Sequence, residues 1–129
     1  MSKGLADFAV DYPIKSGADY AEARYEKFQG DSFLLKNGIP EASGFDLLEG
    51  IGLRLIINAT LGFVAINSMV RPKIKDSIDK GIKITRASSR LNKAIKLSRE
   101  KIKNAKYIVM QKQKLSSVSP ETKLNELLE

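Results

Sequence analysis

The sequence predicts an α+β domain, in which helices pack on a mostly antiparallel sheet of about five strands. Three observations indicate this fold. Residues 49–69 are the most apolar stretch of the chain, and they alternate like two strands joined at Asn58. Asn37-Gly38 is typical of a type I′ hairpin turn, which needs positive φ at both central residues. Beyond Pro72, isoleucine recurs every four residues, as on one buried helix face.

The N-terminal half is predicted to be one helix followed by strands that pair with their neighbours in sequence. The helix spans residues 3–16, with Pro13 as a kink or early end and Gly17 as the C-terminal cap. Strands are predicted at residues 20–29, 32–36 and 39–48, and in the two halves of 49–69. Short links between successive strands indicate an antiparallel meander.

Both faces of the 49–69 hairpin are largely apolar. One face of its first strand holds Ile51, Leu53, Leu55 and Ile57, and the return strand places Leu61, Phe63 and Ala65 opposite Gly62, Val64 and Ile66. We therefore expect a central hairpin that is covered on both sides. A membrane span is excluded, because the run is shorter than ~20 residues and includes Arg54 and Asn58.

A helix begins at Arg71-Pro72, since proline suits the first turn of a helix. Its buried stripe is Ile74, Ile78 and Ile82. Gly81 weakens this helix by about 1 kcal/mol relative to alanine, unless close packing requires a glycine there.

The C-terminal part is predicted to hold less regular structure. After a break at residues 87–89, helical spacing continues through Leu91, Ile95, Ile102 and Ala105, and residues 107–112 are a candidate last strand. Ser119-Pro120-Glu121 resembles a helix start, and Leu124, Leu127 and Leu128 follow as its apolar stripe. We expect residues 1–87 to be the domain core and 88–129 a basic extension. The helix has barely begun at Glu129, which indicates a fragment of a longer protein.

Composition excludes several kinds of active site. The 129 residues include no cysteine and no histidine, so no thiolate or imidazole is present as nucleophile, base or zinc ligand. Glycine-rich phosphate loops and acidic calcium loops are also missing from the sequence. We assign no catalytic, cofactor-binding or metal-binding residue. The N-terminus lacks a signal-peptide core, so we expect a cytoplasmic protein.

Charge is unevenly distributed along the chain. Residues 71–114 contain fifteen Lys and Arg against three Asp and Glu, whereas residues 1–70 contain six against nine. This basic segment could bind nucleic acid or an acidic protein, or it could be the solvated face of a helix. A membrane surface is disfavoured, because the segment lacks Trp and Phe anchors.

Four charged residues in or near the strands are candidate site residues. Asp19, Glu22 and Glu26 could form a metal or acid–base group, but surface salt bridges explain them better. Arg54 interrupts the apolar hairpin, and we expect it to pair with Glu22 or Glu41 rather than to contact a substrate.

The order of these features resembles the N-terminal domain of the TldD/PmbA family, zinc metallopeptidases also labelled "modulator of DNA gyrase". The resemblance covers residues 1–87 and leaves 88–118 without a counterpart. The residues that match the family pattern are Gly17, Ala18, Asp19, Glu22, Arg24, Gly50, Arg54, Gly62, Phe63 and Asn67.

The resemblance implies an intact protein that cleaves peptides in a closed, dimeric chamber, as a homodimer or a heterodimer with a family member. In the family, zinc is held by a histidine-containing motif of the C-terminal domain. No such motif occurs here, so this chain would be a non-catalytic substrate-groove and dimerisation domain. Its Tyr20–Gln29 strand would offer a free edge to an extended peptide. Some family members are inactive partners. The alternative is a small stand-alone binding protein that uses residues 71–114.

Overall fold

The computed structural model describes residues 2–91, 94–98, 100–101 and 103–129. In chain order the elements are α1 (Ser2–Lys15), β1 (Tyr20–Lys36), β2 (Ile39–Ile57), β3 (Thr60–Ile66), α2 (Arg71–Ser88), a 3₁₀ turn (Leu115–Ser117) and α3 (Pro120–Leu128). The sheet order is β1-β2-β3.

The α+β class is confirmed, but the prediction of about five strands is wrong. The described residues form three strands, of which β1 has 17 residues and β2 has 19. The breaks expected at Gly30-Asp31 and near residue 48 do not occur, because both segments continue in strand conformation. Glycine weakens a strand but does not necessarily end it.

Two compact units share these long strands. The first, here called the sheet unit, comprises Met1–Phe28 and Leu47–Ser98. The second, here called the arm unit, comprises Gln29–Asp46 and Arg99–Glu129. Each of β1 and β2 therefore contributes one part to the sheet unit and one to the arm unit.

The core of the sheet unit lies between α2 and one face of the β2–β3 hairpin. The predicted stripe of Ile51, Leu53, Leu55 and Ile57 is buried, and so are Ile74, Ile78 and Ile82 of α2. Each isoleucine fully buried in this way contributes roughly 1.5–3 kcal/mol. The two patterns that predicted this core are thus confirmed.

Both predicted turns of the sheet have positive backbone φ. Asn37 and Gly38 have φ of 52° and 74°, which confirms the expected hairpin turn. At the second turn, Asn58 and Ala59 have φ of 50° and 58°. Thr60 follows directly as the first residue of β3.

Two glycines allow α2 to approach β3 closely. A Cβ atom on Gly81 would overlap Cγ2 of Val64, and one on Gly62 would overlap Oγ1 of Thr85. Close packing therefore requires glycine at position 81, and the predicted loss of helix propensity is the cost of this contact.

α1 packs on α2 through aromatic and charged side chains. The guanidinium carbon of Arg71 lies 4.3 Å from the ring centroid of Phe8, and Nζ of Lys75 lies 5.1 Å from that of Tyr12. The hydroxyl of Tyr12 donates to Oδ1 of Asp79 at 2.7 Å. This hydrogen bond, followed by that from Lys75, lowers the pKa of Asp79 below its ordinary value of 3.8.

α1 continues through Pro13 to Lys15, so the proline does not end the helix early. Gly17 follows with φ of 93°, as expected for a C-terminal cap. Nη2 of Arg86 also donates to the carbonyl of Ser16 at 2.7 Å, which satisfies an acceptor at the end of α1.

The C-terminal predictions have mixed outcomes. The helix expected beyond the serines is wrong for 94–98, 100–101 and 103–105, and the strand expected at 107–112 is also wrong, since these residues adopt neither conformation. Ile102, part of the predicted helical spacing, lies outside the described residues. The helix start is confirmed, because Oγ of Ser119 accepts from the amide of Thr122 at 3.1 Å.

Among described helices, none combines the length and apolarity needed for a membrane span.

Gly81→Ala is expected to destabilise the protein although alanine favours helix by about 1 kcal/mol. The new methyl group must displace Val64, and overpacking of this kind outweighs the gain, for a net loss of roughly 1–2 kcal/mol in urea-unfolding free energy. Gly4→Ala in α1, where a Cβ meets nothing within 4 Å, is the matched control and should not destabilise. If Val64→Ala does not relieve part of the Gly81→Ala defect, the close contact is not its cause.

Asp79→Asn is expected to make the unfolding free energy less dependent on pH in acid. Because folding lowers the pKa of Asp79, its contribution is complete above 3.8 and is lost as the pH falls through the folded-state pKa. The stability gap between wild type and variant should therefore be largest near neutrality and should close in acid. Urea titrations over this range would measure it. A gap that stays constant would contradict the assigned hydrogen bonds. The control variant is Asp76→Asn, which removes the carboxylate that pairs with Lys80.

Candidate functional site

The sheet face opposite α2 is open over much of its length. Phe63 is 70% exposed, and Leu61 and Ala65 on the same side of β3 are exposed as well. Arg54 is paired with Phe63 across β2 and β3, so both side chains lie on this face. Ile56, which lies across from Leu61, is buried, so this face is partly covered near the turn of the hairpin. The prediction of a hairpin covered on both sides is wrong for most of this face, because Arg54, Phe63 and Ala65 on it are exposed.

A groove with a volume of about 1150 Å³ lies on the open face, within the sheet unit. Its apolar side chains include Phe28 of β1, Leu48 of β2 and Phe63 of β3. Gly50 and Gly52 also line it, and a Cβ on Gly52 would lie 3.5 Å from the Phe63 ring. Since neither glycine has a side chain, the β2 backbone itself forms part of the groove wall.

Four of the five charged side chains that line the groove form ion pairs. Nη2 of Arg54 lies 2.5 Å from Oε1 of Glu22, and Nη2 of Arg24 lies 3.6 Å from Oε1 of Glu26. The hydroxyl of Tyr20 donates to Oε2 of Glu22 at 2.5 Å. The expected Arg54–Glu22 pair is confirmed. Arg54 is nevertheless 53% exposed, so it is not the buried cation that its apolar neighbours predicted.

The other candidate carboxylates have separate partners. Oδ2 of Asp19 accepts from the amide of Asn58 at 2.9 Å, and Glu41 pairs with Lys36 at 3.8 Å rather than with Arg54. In the part of the chain that the structure describes, no three His, Cys, Asp or Glu side chains gather as a metal site. Asp19 therefore caps the turn at Asn58, and Glu41 is the partner of an ion pair.

Two tyrosines donate hydrogen bonds to carboxylates that line the groove, namely Glu22 and Glu49. The hydrogen bond to Glu22 raises the pKa of Tyr20 above its ordinary value of 10.0, with desolvation as a smaller cause. In the same way, the hydrogen bond to Glu49 at 2.5 Å raises the pKa of Tyr25. Each phenol stays protonated over a wider pH range because it donates to a carboxylate.

β1 is an edge strand of the sheet. The sheet-unit part of β1 contributes Glu22, Arg24 and Phe28 to the groove. Its second edge pairs with no other strand among the described residues. Sequence reasoning identified this edge correctly but missed Phe28, Leu48 and Phe63 as groove residues. The signal was present, because Arg54 lies across from Phe63 and a fully covered apolar face disfavours an arginine.

The basic segment is only partly neutralised. On α2, Lys75 and Lys80 pair with Asp79 and Asp76 at 2.9 and 2.8 Å, each at i,i+4 spacing. In residues 103–114, by contrast, no lysine lies within ion-pair distance of a described carboxylate. The excess positive charge thus lies mainly beyond α2.

Comparison with known families identifies the chain. The family model described as PmbA/TldA metallopeptidase domain 1 matches residues 21–98. The chain belongs to this family. The resemblance to TldD/PmbA proteins is thereby confirmed, and the match extends beyond residue 87, where the resemblance was expected to end. Every residue that lines the groove lies inside the matched range of this TldD/PmbA domain.

A solved relative shows the same fold. TldE from Thermococcus kodakarensis superposes with a TM-score of 0.60 at 18% sequence identity, over 92% of this chain. The chain spans 25% of the length of that TldE chain. A search of curated proteins found no match.

Glu22→Gln is expected to lower the pKa of Tyr20 towards 10.0, because the amide is a weaker acceptor and carries no charge. The pKa of Tyr25 should not change, since its partner is Glu49. Titration of the tyrosine ring carbons by NMR would resolve the two residues. The half-exposed ion pair should alter stability by no more than about 1 kcal/mol. A Tyr20 pKa that is unchanged in the variant would show that its hydrogen bond to Glu22 does not form in solution.

Proposed function

We propose that this chain is the non-catalytic N-terminal domain of a TldD/PmbA-like zinc metallopeptidase that acts in proteolysis. Family membership supports the assignment to the first domain of such a protein. Within it, we propose that the open sheet face forms one wall of the groove that holds the peptide substrate. The observation that carries this proposal is the groove of about 1150 Å³ beside an edge strand.

The groove has the chemistry expected of a general peptide-binding wall. Aromatic and aliphatic side chains provide apolar contacts. The charges of Glu22 with Arg54 and of Arg24 with Glu26 balance, so that Glu49 leaves the groove with a single negative charge. The free edge of β1 would supply main-chain hydrogen bonds to an extended substrate. Such bonds depend on no particular substrate side chain, so the domain would hold many sequences.

Zinc does not fit the residues of this chain. The sequence has no histidine or cysteine, and no cluster of three acidic side chains gathers within the described ranges. We therefore propose that the zinc site of an active parent is formed by residues outside this chain.

We also propose that the domain contributes to a dimer with a family member. Supporting this role, the arm unit exposes Leu34, Ile39 and Phe45 on its hairpin, and large exposed apolar side chains mark interaction surfaces when they cluster. The alternative function, that of a small stand-alone protein that binds its partner through residues 71–114, stays a prediction.

Phe63→Ala in the intact metallopeptidase tests the groove. We expect KM for an extended peptide to rise roughly tenfold with kcat little changed, because a binding contact present before and during the reaction is lost. Leu61→Ala is the matched control, since Leu61 lies on the same face and strand, is 41% exposed and does not line the groove.

Stability measurements on both variants separate binding from folding. Because Phe63 is largely exposed, its truncation should cost less than about 1 kcal/mol. Equal KM values for the wild type and the Phe63→Ala variant, with both proteins folded, would contradict the proposal that this face binds the peptide.

A further inference from the structure

Residues 103–113 form an exposed segment with no regular structure. They adopt neither helix nor strand, and none of their backbone groups bonds to another described backbone group. At its centre, Tyr107 and Met110 are 89% and 94% exposed, and Ile108 and Val109 between them are exposed as well. Four large apolar side chains in a row thus face solvent.

The local sequence favours a conformation that this segment does not adopt. Tyr, Ile and Val are among the residues most enriched in strands. A strand, however, is stable only when its backbone pairs with a neighbour. Residues 107–111 therefore have the side chains of a strand, and their backbone donors and acceptors have no backbone partner among the described residues. This combination is used when a segment is added to the edge of another sheet.

Lysines flank the apolar centre on both sides. Lys103 and Lys106 precede it, Lys112 and Lys114 follow it, and no acidic residue occurs between 103 and 114. Like charges of this kind oppose pairing between identical segments. A partner strand with carboxylates at the matching positions would instead gain opposite-charge pairs.

We propose that Tyr107–Gln111 is a donated strand, which pairs with an acidic sheet edge of another polypeptide. A protein edge fits better than nucleic acid, because Ile108, Val109 and Met110 provide aliphatic surface and only Tyr107 could stack on a base. This interaction is separate from the groove on the sheet unit and does not depend on the proposed peptidase role.

The test uses the full 129-residue chain and a fluorescent peptide in which glutamate and valine alternate. Val109→Pro removes a backbone donor at the centre of the segment, and Asn104→Pro makes the same change outside the apolar centre. Both positions are exposed and outside helices and strands, so both variants should fold.

We expect the wild-type chain to bind the acidic peptide, and Val109→Pro to weaken that binding roughly tenfold, since a strand with proline at its centre loses pairing. Asn104→Pro should bind like wild type. The double variant Lys106→Gln/Lys112→Gln should also weaken binding at low salt, by roughly two- to fivefold for each charge removed. A peptide with lysine in place of glutamate should not bind.

Three results would overturn the proposal. Equal loss in the two proline variants would show that backbone pairing at the apolar centre is not involved. Binding of single-stranded oligothymidine as tight as that of the peptide, and unaffected by Val109→Pro, would assign the segment to nucleic acid. Concentration-dependent dimers in sedimentation that Val109→Pro abolishes would show that a second copy of the chain is the partner.

Discussion

The contact between α2 and the β2–β3 hairpin is the constraint on which the sheet unit depends. Ile74 and Ile78 are buried only because the helix lies close to the strands, and that approach requires bare backbone at Gly62 and Gly81. α1 then packs on α2 through Phe8 and the hydrogen bond from Tyr12. Since both helices lie on the same side, the opposite face of the sheet is left to form the groove.

Local patterns predicted the parts of the fold that local physics decides. Asn37-Gly38 turns because the two residues accept positive φ, and the isoleucine spacing of α2 defines its buried stripe whatever lies beneath it. Alternation along each strand likewise separates Arg54 and Phe63 from the core residues, which lie on the other face of the sheet. What covers a face is a non-local property, which alternation does not contain. The groove could therefore not be predicted from apolar content alone.

The 107–112 segment shows the same limit for strands. Its side chains favour β structure, yet strand formation needs a partner backbone at the right distance, and no described segment provides one. The helix start at Ser119 was predictable for the opposite reason. A serine cap satisfies an amide three residues away, so all the groups involved lie within one turn.

The two faces of the sheet tolerate substitution differently. On the α2 side, an added methyl group at Gly62 or Gly81 meets a packed neighbour, so most substitutions there are costly to the fold. On the groove side, Gly52 and Phe63 border open space and can change with little effect on the core. Because neighbouring residues of one strand belong to opposite faces, a side chain on the groove side can be replaced without disturbing the packed side. The same hairpin thus combines one face that dictates its side chains with another that leaves them free.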